Sequence, residues 1–249
     1  MNASPSITVV IPVFNEHESL VQAVHRTDRF LSSHFTDHEI VLVESGSTDG
    51  TSELCDELAS TQRGTVVIHE GRRNGFGAAL RLGYSKATKD LVMPLPVDLP
   101  FPLETITDAA ALLQGYDCVL SYRSPDSRSV FRRLQSVVSN SLLKLVLGLG
   151  VRHVNSAFKL FRRDMLQSLP LISTGWLLDA EIILRLQQAG VRFLEIPVPL
   201  TERTAGKSKV GPLDSLRLLR ELLAFAAAHA RNPARCRSDA THPTEEVSA

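Results

Sequence analysis

Short, continuous runs of apolar and β-branched residues recur along the first half of the chain, and stretches with helical spacing separate them. ITVVIPV (Ile7–Val13) does not alternate polar with apolar, the mark of a strand buried on both faces. EIVLVE (Glu39–Glu44), Thr65–His69, Asp90–Leu95 and Asp117–Tyr122 repeat the pattern. Between them the sequence predicts helices over Glu16–Ser33, capped by Asn15, and from Ser47–Asp49 to about Thr61, capped by Ser47 or Thr48. Two more are predicted over Phe76–Ala87 and Leu103–Gln114. A βαβαβαβαβ order implies an α/β fold, a mostly parallel sheet with helices on both faces.

The second half is less regular. Val130–Leu149 reads as a long apolar-rich helix, Ala157–Arg162 as a strand, Leu178–Ala189 as a helix and Arg192–Pro197 as a short strand. Leu213–Ala230 is an amphipathic helix. Leu216, Leu219, Leu222, Leu223 and Ala226 share one side, with Arg217, Arg220 and Glu221 opposite. Three destinations suit it: the domain surface, a membrane surface, or a second subunit. We expect one domain over residues 1–230 and a disordered tail over Arg231–Ala249, which is rich in Asn, Pro, Ser, Thr and Glu.

Lys plus Arg equal Asp plus Glu at 27 each, so no global field draws nucleic acid or an anionic membrane, and any anion site must be local. Cys55, Cys118 and Cys236 lack paired spacing, which disfavours a disulfide framework or zinc site and fits a reducing cytoplasm. The N-terminal apolar run is short and has no basic segment before it, so it reads as a strand rather than a leader. No window offers eighteen uninterrupted apolar residues. A lipid substrate would have to be reached from outside the bilayer.

In an open parallel sheet, ligands bind beyond the carboxyl ends of the strands. Those ends are PVFNE (Pro12–Glu16), VESGSTDGT (Val43–Thr51), EGRRNGFG (Glu70–Gly77), PVDLP (Pro96–Pro100) and SYRS (Ser121–Ser124). Any one of them is an ordinary turn. GSTDG alone is satisfied as a helix cap with an acid at the dipole, and Gly75 and Gly77 alone only let a loop turn. Together they favour a polar site at one edge, because loops on a rigid scaffold commonly carry function.

PVFNE, the GSTDGT segment after the second strand and NGFGAALRLGY resemble the family 2 glycosyltransferases of the GT-A fold. VNSAFKLFRRDML, LLDAEIILRL and EIPVPLTERTAGKSKV extend the likeness, which covers roughly Ile7–Val210. Within that family the pattern is similar to polyprenyl-phosphate sugar synthases of the dolichol-phosphate mannose synthase type. The resemblance implies a cytoplasmic or peripheral membrane enzyme that moves a sugar from UDP or GDP to a lipid phosphate with Mg²⁺ or Mn²⁺. It places Pro12, Phe14 and Glu16 at the nucleotide base and ribose, Glu44 beside the nucleoside, and Asn74 and Gly75 among the substrate-binding residues. It makes Asp98 the metal ligand. Arg123, Arg132 and Ser136 would face the acceptor phosphate or the donor diphosphate, and Arg203 and Lys209 would close over the phosphates.

Three positions depart from the family pattern. Ser45 stands where DDGS has its second acid, Pro96 where the metal-binding DxD has its first, and His153 where an Asp commonly precedes the SGF-like segment. Proline offers a cation no side-chain ligand, whereas Mg²⁺ often uses only one or two carboxylates and takes the rest from substrate and water. His153 reads as a replacement ligand or a structural histidine. Two alternatives to lipid-phosphate transfer remain open: a transferase with a soluble acceptor, and an impaired homologue retained as a binding partner.

Overall fold

A computed structural model describes residues 5–124, 130–200, 220–223 and 225, apart from the side chains of residues 130–132, 134 and 135. The strands are β1 (Ile7–Val13), β2 (His38–Glu44), β3 (Thr65–His69), β4 (Leu91–Pro94), β5 (Cys118–Arg123), β6 (Lys159–Arg162) and β7 (Phe193–Val198). The helices are α1 (Leu20–His34), α2 (Thr51–Thr61), α3 (Phe76–Lys86), α4 (Glu104–Leu112), α5 (Val130–Leu147), α6 (Arg163–Ser168) and α7 (Leu178–Gln188).

The strands form one sheet in the order β3-β2-β1-β4-β6-β5-β7. β1 pairs in parallel with β2, Ile7 opposite His38, and with β4, Ile7 opposite Leu91. Successive residues of β1 face opposite sides, so the continuous apolar run feeds two cores. Val9 and Ile11 join Ile40, Leu42 and Met93 against α1, α2 and α4. Val10 joins Val41, Val43, Val92 and Leu120 against α3, α5 and α7. Gly83 lets α3 lie close on the sheet, since a Cβ there would stand 2.2 Å from Val10 Cγ1.

β6 runs against its neighbours, pairing antiparallel with both β4 and β5. β5 ends at the edge where ligands are expected, and β6 starts there. The β5–β6 connection, α5 included, therefore begins and ends at that edge.

Several expectations are corrected. α1 starts at Leu20 after Ser19, and Asn15 does not cap it: Asn15 has φ +51° and donates and accepts across to another loop. α2 starts at Thr51 behind Gly50, so Ser47 and Thr48 are not its caps. The helix α6 was not expected. The predicted C-terminal helix falls partly outside the described residues, as does the whole predicted tail; the described part packs on the domain. There Leu222 and Phe225 are buried in the second core, Glu221 accepts the Leu177 N–H at 3.3 Å, and Leu223 is exposed. Among the described residues, no helix is long and apolar enough to cross a membrane.

Candidate functional site

All the parallel strands end at one edge, which gathers the five carboxyl-terminal loops. The first three are joined by side chains. Asn15 donates its N–H to Ser47 Oγ at 3.0 Å, and its Oδ1 accepts the Thr48 N–H at 2.9 Å. Glu16 donates its N–H to Thr51 Oγ1 at 3.0 Å. Thr51 in turn donates to Asp49 Oδ1 from both its N–H, at 3.1 Å, and its hydroxyl, at 2.5 Å. Burial pushes the Asp49 carboxyl up, but the bonds from Thr51 and His17 outweigh it and hold the group below the usual carboxylate range.

Glu44, which ends β2, is 2% exposed. Its Oε1 accepts the Ser47 N–H at 2.5 Å and its Oε2 lies 3.2 Å from His69 Nδ1. Burial raises its carboxyl pKa, yet the Ser47 amide and His69 lower it further, so the group stays ionised beneath the loop. Ser45, where the family shows an acid, donates its hydroxyl to Glu70 Oε2 at 2.6 Å. Glu70 Oε1 receives the Asn74 side-chain amide at 3.2 Å, and Arg72 Nε donates to Asn74 Oδ1 at 3.0 Å. The Arg73 guanidinium lies over the Phe14 ring, 4.4 Å from its centroid. Pro12 and Glu16 are half-buried at the same loops.

Gly75 has a packing reason to be glycine. It adopts φ +109°, and a Cβ would meet the Thr174 carbonyl oxygen at 2.7 Å. Gly77 is tighter: a Cβ there would stand 2.3 Å from the Gly175 carbonyl oxygen. The Thr174 carbonyl accepts the Ala78 N–H at 2.9 Å and Trp176 stacks on Phe76, ring centroids 5.2 Å apart. Buried Glu181 of α7 holds this segment, accepting the N–H groups of Ile172 and Ser173 at 3.1 and 2.7 Å. The 172–176 segment carried no readable motif, and its part in the site was missed.

Asp98 is exposed at the tip of a turn beyond β4. The Leu99 N–H closes that turn on the Pro96 carbonyl at 3.0 Å, with Leu99 at φ +43°. Val97 and Phe101 on either side are buried in the first core, which anchors the turn and leaves the carboxylate outside. Among the described residues, no three His, Cys, Asp or Glu side chains cluster as a metal site. Asp98 would meet a hard cation as one protein carboxylate, with substrate and water able to supply further oxygens.

At the other end of the edge, Arg123 closes β5. Its N–H donates to His153 Nδ1 at 3.2 Å, which gives His153 a structural role. Arg152 lies over Tyr122, 4.6 Å from the ring centroid. Asn140 of α5 ties the loop down, accepting the Val154 N–H and donating to the Arg152 carbonyl at 2.8 and 2.7 Å. Glu195 accepts the Arg152 N–H at 2.8 Å; burial raises its carboxyl above the usual range in spite of that bond. Ser136 is half-buried on α5, one turn from Asn140. The Arg132 side chain, Arg203 and Lys209 lie outside the described residues.

The comparisons with known proteins agree with this architecture. Residues 8–169, well over half of the chain, match the family described as Glycosyl transferase family 2. Glucosyl-3-phosphoglycerate synthase from Mycobacterium tuberculosis, solved with Mn²⁺, UDP and glucosyl-3-phosphoglycerate, superposes with a TM-score of 0.66 at 22% identity, covering 95% of this chain and 82% of that one. The same enzyme with phosphoglyceric acid gives 0.65 at 22% identity over the same shares, 95% and 82%. Mannosyl-3-phosphoglycerate synthase from Rubrobacter xylanophilus gives 0.65 at 18% identity, over 96% and 79%. At these identities the likeness is one of fold, the GT-A fold of nucleotide-sugar transferases.

Proposed function

The chain belongs to the family 2 glycosyltransferases, and on that premise we propose that it moves a sugar from a UDP- or GDP-sugar to a polyprenyl phosphate, with inversion at the anomeric carbon. One observation carries the choice of acceptor. The outer face of α5 exposes Val137, Val138, Leu142, Leu145 and Val146, the last four at helical spacing and Leu145 83% exposed. The opposite side of α5 carries Asn140, which ties the helix to the 152–154 segment at the Arg123–His153 end of the edge. An apolar helix face beside cationic groups suits an acyl or prenyl surface, with the phosphate turned to the arginines.

A phosphate oxygen of the acceptor attacks the anomeric carbon. The new C–O bond forms as the bond to the nucleoside diphosphate breaks, and the electron pair leaves with the diphosphate. The acceptor phosphate is already anionic near neutral pH, so no side chain has to remove a proton. Pro12, Phe14, Glu16 and Glu44 hold the nucleoside, with Asn74 and Gly75 on the donor side. Arg123, Arg132 and Ser136 bring the two anionic groups together, and Arg203 and Lys209 close over them. Asp98, with donor oxygens and water, would hold Mg²⁺ or Mn²⁺, which when bound neutralises charge on the diphosphate. The enzyme then works in the cytoplasm as a peripheral protein at the inner membrane face, within one domain over residues 1–230.

A second reading, a soluble phosphorylated acceptor, draws on the fold relatives, whose crystals hold phosphoglyceric acid and glucosyl-3-phosphoglycerate. The test is direct. Radiolabelled UDP-glucose and GDP-mannose are offered with Mn²⁺ to the full chain, with either a polyprenyl phosphate in detergent or 3-phosphoglycerate. Label in the organic phase supports the lipid acceptor. Label only in a water-soluble product overturns it in favour of the second reading.

A further inference from the structure

The donor-side network continues past Glu44 into side chains that glycosyl transfer does not itself require. His69 ends β3, the edge strand of the sheet. Its Nδ1 faces Glu44 Oε2 at 3.2 Å and its Nε2 faces Asp56 Oδ1 on α2 at 3.0 Å. Ser52 Oγ of α2 lies 3.3 Å from Nδ1. Both ring nitrogens thus meet carboxylates. A neutral imidazole has one N–H and would turn a lone pair toward one of them, whereas the imidazolium donates to both.

The other groups in contact leave that balance unchanged. Glu44 on β2 and Asp56 on α2 are the charged groups that face the ring, and neighbouring Cys55 is neutral, its thiol pushed up to about 12 by burial and by these two acids. Glu44 is buried, so its charge needs a fixed partner on each side. Ser47 supplies one through its N–H and His69 supplies the other. Ser47 then takes the Asn15 N–H on its hydroxyl. A continuous chain of bonds therefore runs from Asp56 through His69, Glu44 and Ser47 to the loop that follows β1.

We propose that His69 is a positioning residue for the donor nucleotide: as an imidazolium clamped between Asp56 and Glu44, it fixes the 44–51 loop in the form that receives the nucleoside. This rests on the reading of these loops as the nucleotide-sugar site. Asp56 first and Glu44 second raise the ring's pKa from its ordinary value, with partial burial opposing them. A raised histidine contributes in full below the ordinary imidazole range and loses that contribution as pH rises through the raised value. Donor affinity is thus highest below the ordinary imidazole range and falls as pH rises through the raised value.

The experiment is calorimetric titration of UDP-glucose and of GDP-mannose into the full chain with Mg²⁺, from pH 6 to pH 9. Wild type, His69→Gln and Asp56→Asn are compared, with near-UV circular dichroism as the control for folding. Wild-type Kd is expected to rise about tenfold across the range, the order that one hydrogen bond to a charged group supplies. His69→Gln should show the weakened Kd at every pH, with kcat at saturating donor little changed. Asp56→Asn alters an exposed side chain, keeps the fold, and should shift the loss of affinity to lower pH. A His69→Gln protein with the wild-type Kd and pH profile overturns the proposal and leaves the donor site standing. A wild-type protein that binds neither nucleotide sugar at any pH overturns the donor reading on which the proposal rests.

Discussion

The two ends of the site edge are built by different means. At the end proposed to take the donor, side chains tie the loops after β1, β2 and β3 together: Asn15 to Ser47 and Thr48, Glu16 to Thr51, Ser45 to Glu70. At the end proposed to take the acceptor, Arg123 at the close of β5 rests on His153, Asn140 holds the 152–154 segment, and α5 turns valines and leucines outward. The first arrangement suits a polar ligand in a fixed cradle. The second offers a broad apolar face beside cations. A transferase built this way can change its acceptor without rebuilding its donor site.

Asp98 stands between the two ends, so its loss should break the comparison most severely. Asp98→Asn is expected to lower kcat/KM on the order of 10² to 10³, as removal of a single charge-stabilising group does elsewhere. The turn should survive, because Val97 and Phe101 anchor it and Asp98 is exposed. Steady-state kinetics with saturating acceptor measure this, and unchanged turnover would remove Asp98 from the site.

Glu181 supports the Gly75 end of the edge in a different way, through packing. It is 0% exposed, accepts two backbone N–H groups of the 172–173 segment, and lies 3.7 Å from Arg185. Glu181→Ala would leave those two N–H donors without their acceptor and the Arg185 guanidinium with Gln188 alone, at a cost of about 3 kcal/mol, or roughly 10 °C in Tm. Thermal and urea unfolding read this directly. Stability equal to wild type would mean that the 172–176 segment is held by Trp176 and the glycines alone.

The same contrast explains how much the sequence revealed. ITVVIPV and EIVLVE were legible because continuous apolar runs have few other uses, and the parallel half followed from them. The reversed direction of β6 was not legible, since hydrophobic period does not encode strand polarity. Asn15, Ser47 and Thr48 read locally as helix caps, but their polar groups bond between loops remote in sequence. Gly75 read as a ligand contact or a free turn, and only the fold brings Thr174 against it. The clamp on His69 joins three elements, and no short motif could announce it.

The apolar face of α5 is where the comparison can be sharpened. Leu145→Glu and Val138→Glu alter side chains that are 83% and 59% exposed, so the fold should hold. A leucine buried in an acyl layer contributes about 1.5–3 kcal/mol, which predicts at least a tenfold rise in KM for a polyprenyl phosphate. Donor Kd should not move, because the donor cradle lies at the other end of the edge. If the variants use the lipid acceptor as well as wild type does, the apolar face has another purpose and the soluble-acceptor reading gains.

The smallest expected effect tests the departure at the metal position. Pro96 begins the turn that ends at Leu99, and only its carbonyl is required there, as the acceptor of the Leu99 N–H at 3.0 Å. Any residue supplies that carbonyl, so Pro96→Asp should keep the turn while adding a carboxylate two residues before Asp98. A second hard oxygen ligand favours a divalent cation, and we expect Mn²⁺ to bind about fivefold tighter in the presence of UDP-glucose, close to 1 kcal/mol. The gain is expected to be small because a bound donor diphosphate and water would already supply most of the oxygen ligands. Titration of Mn²⁺ into the donor complex, followed by water-proton relaxation, measures it. Tighter binding that vanishes when Asp98→Asn is added would show that the two positions face one ion. Unchanged binding would show that the Asp98 carboxylate points to an ion that residue 96 does not reach, so that proline there costs the site nothing.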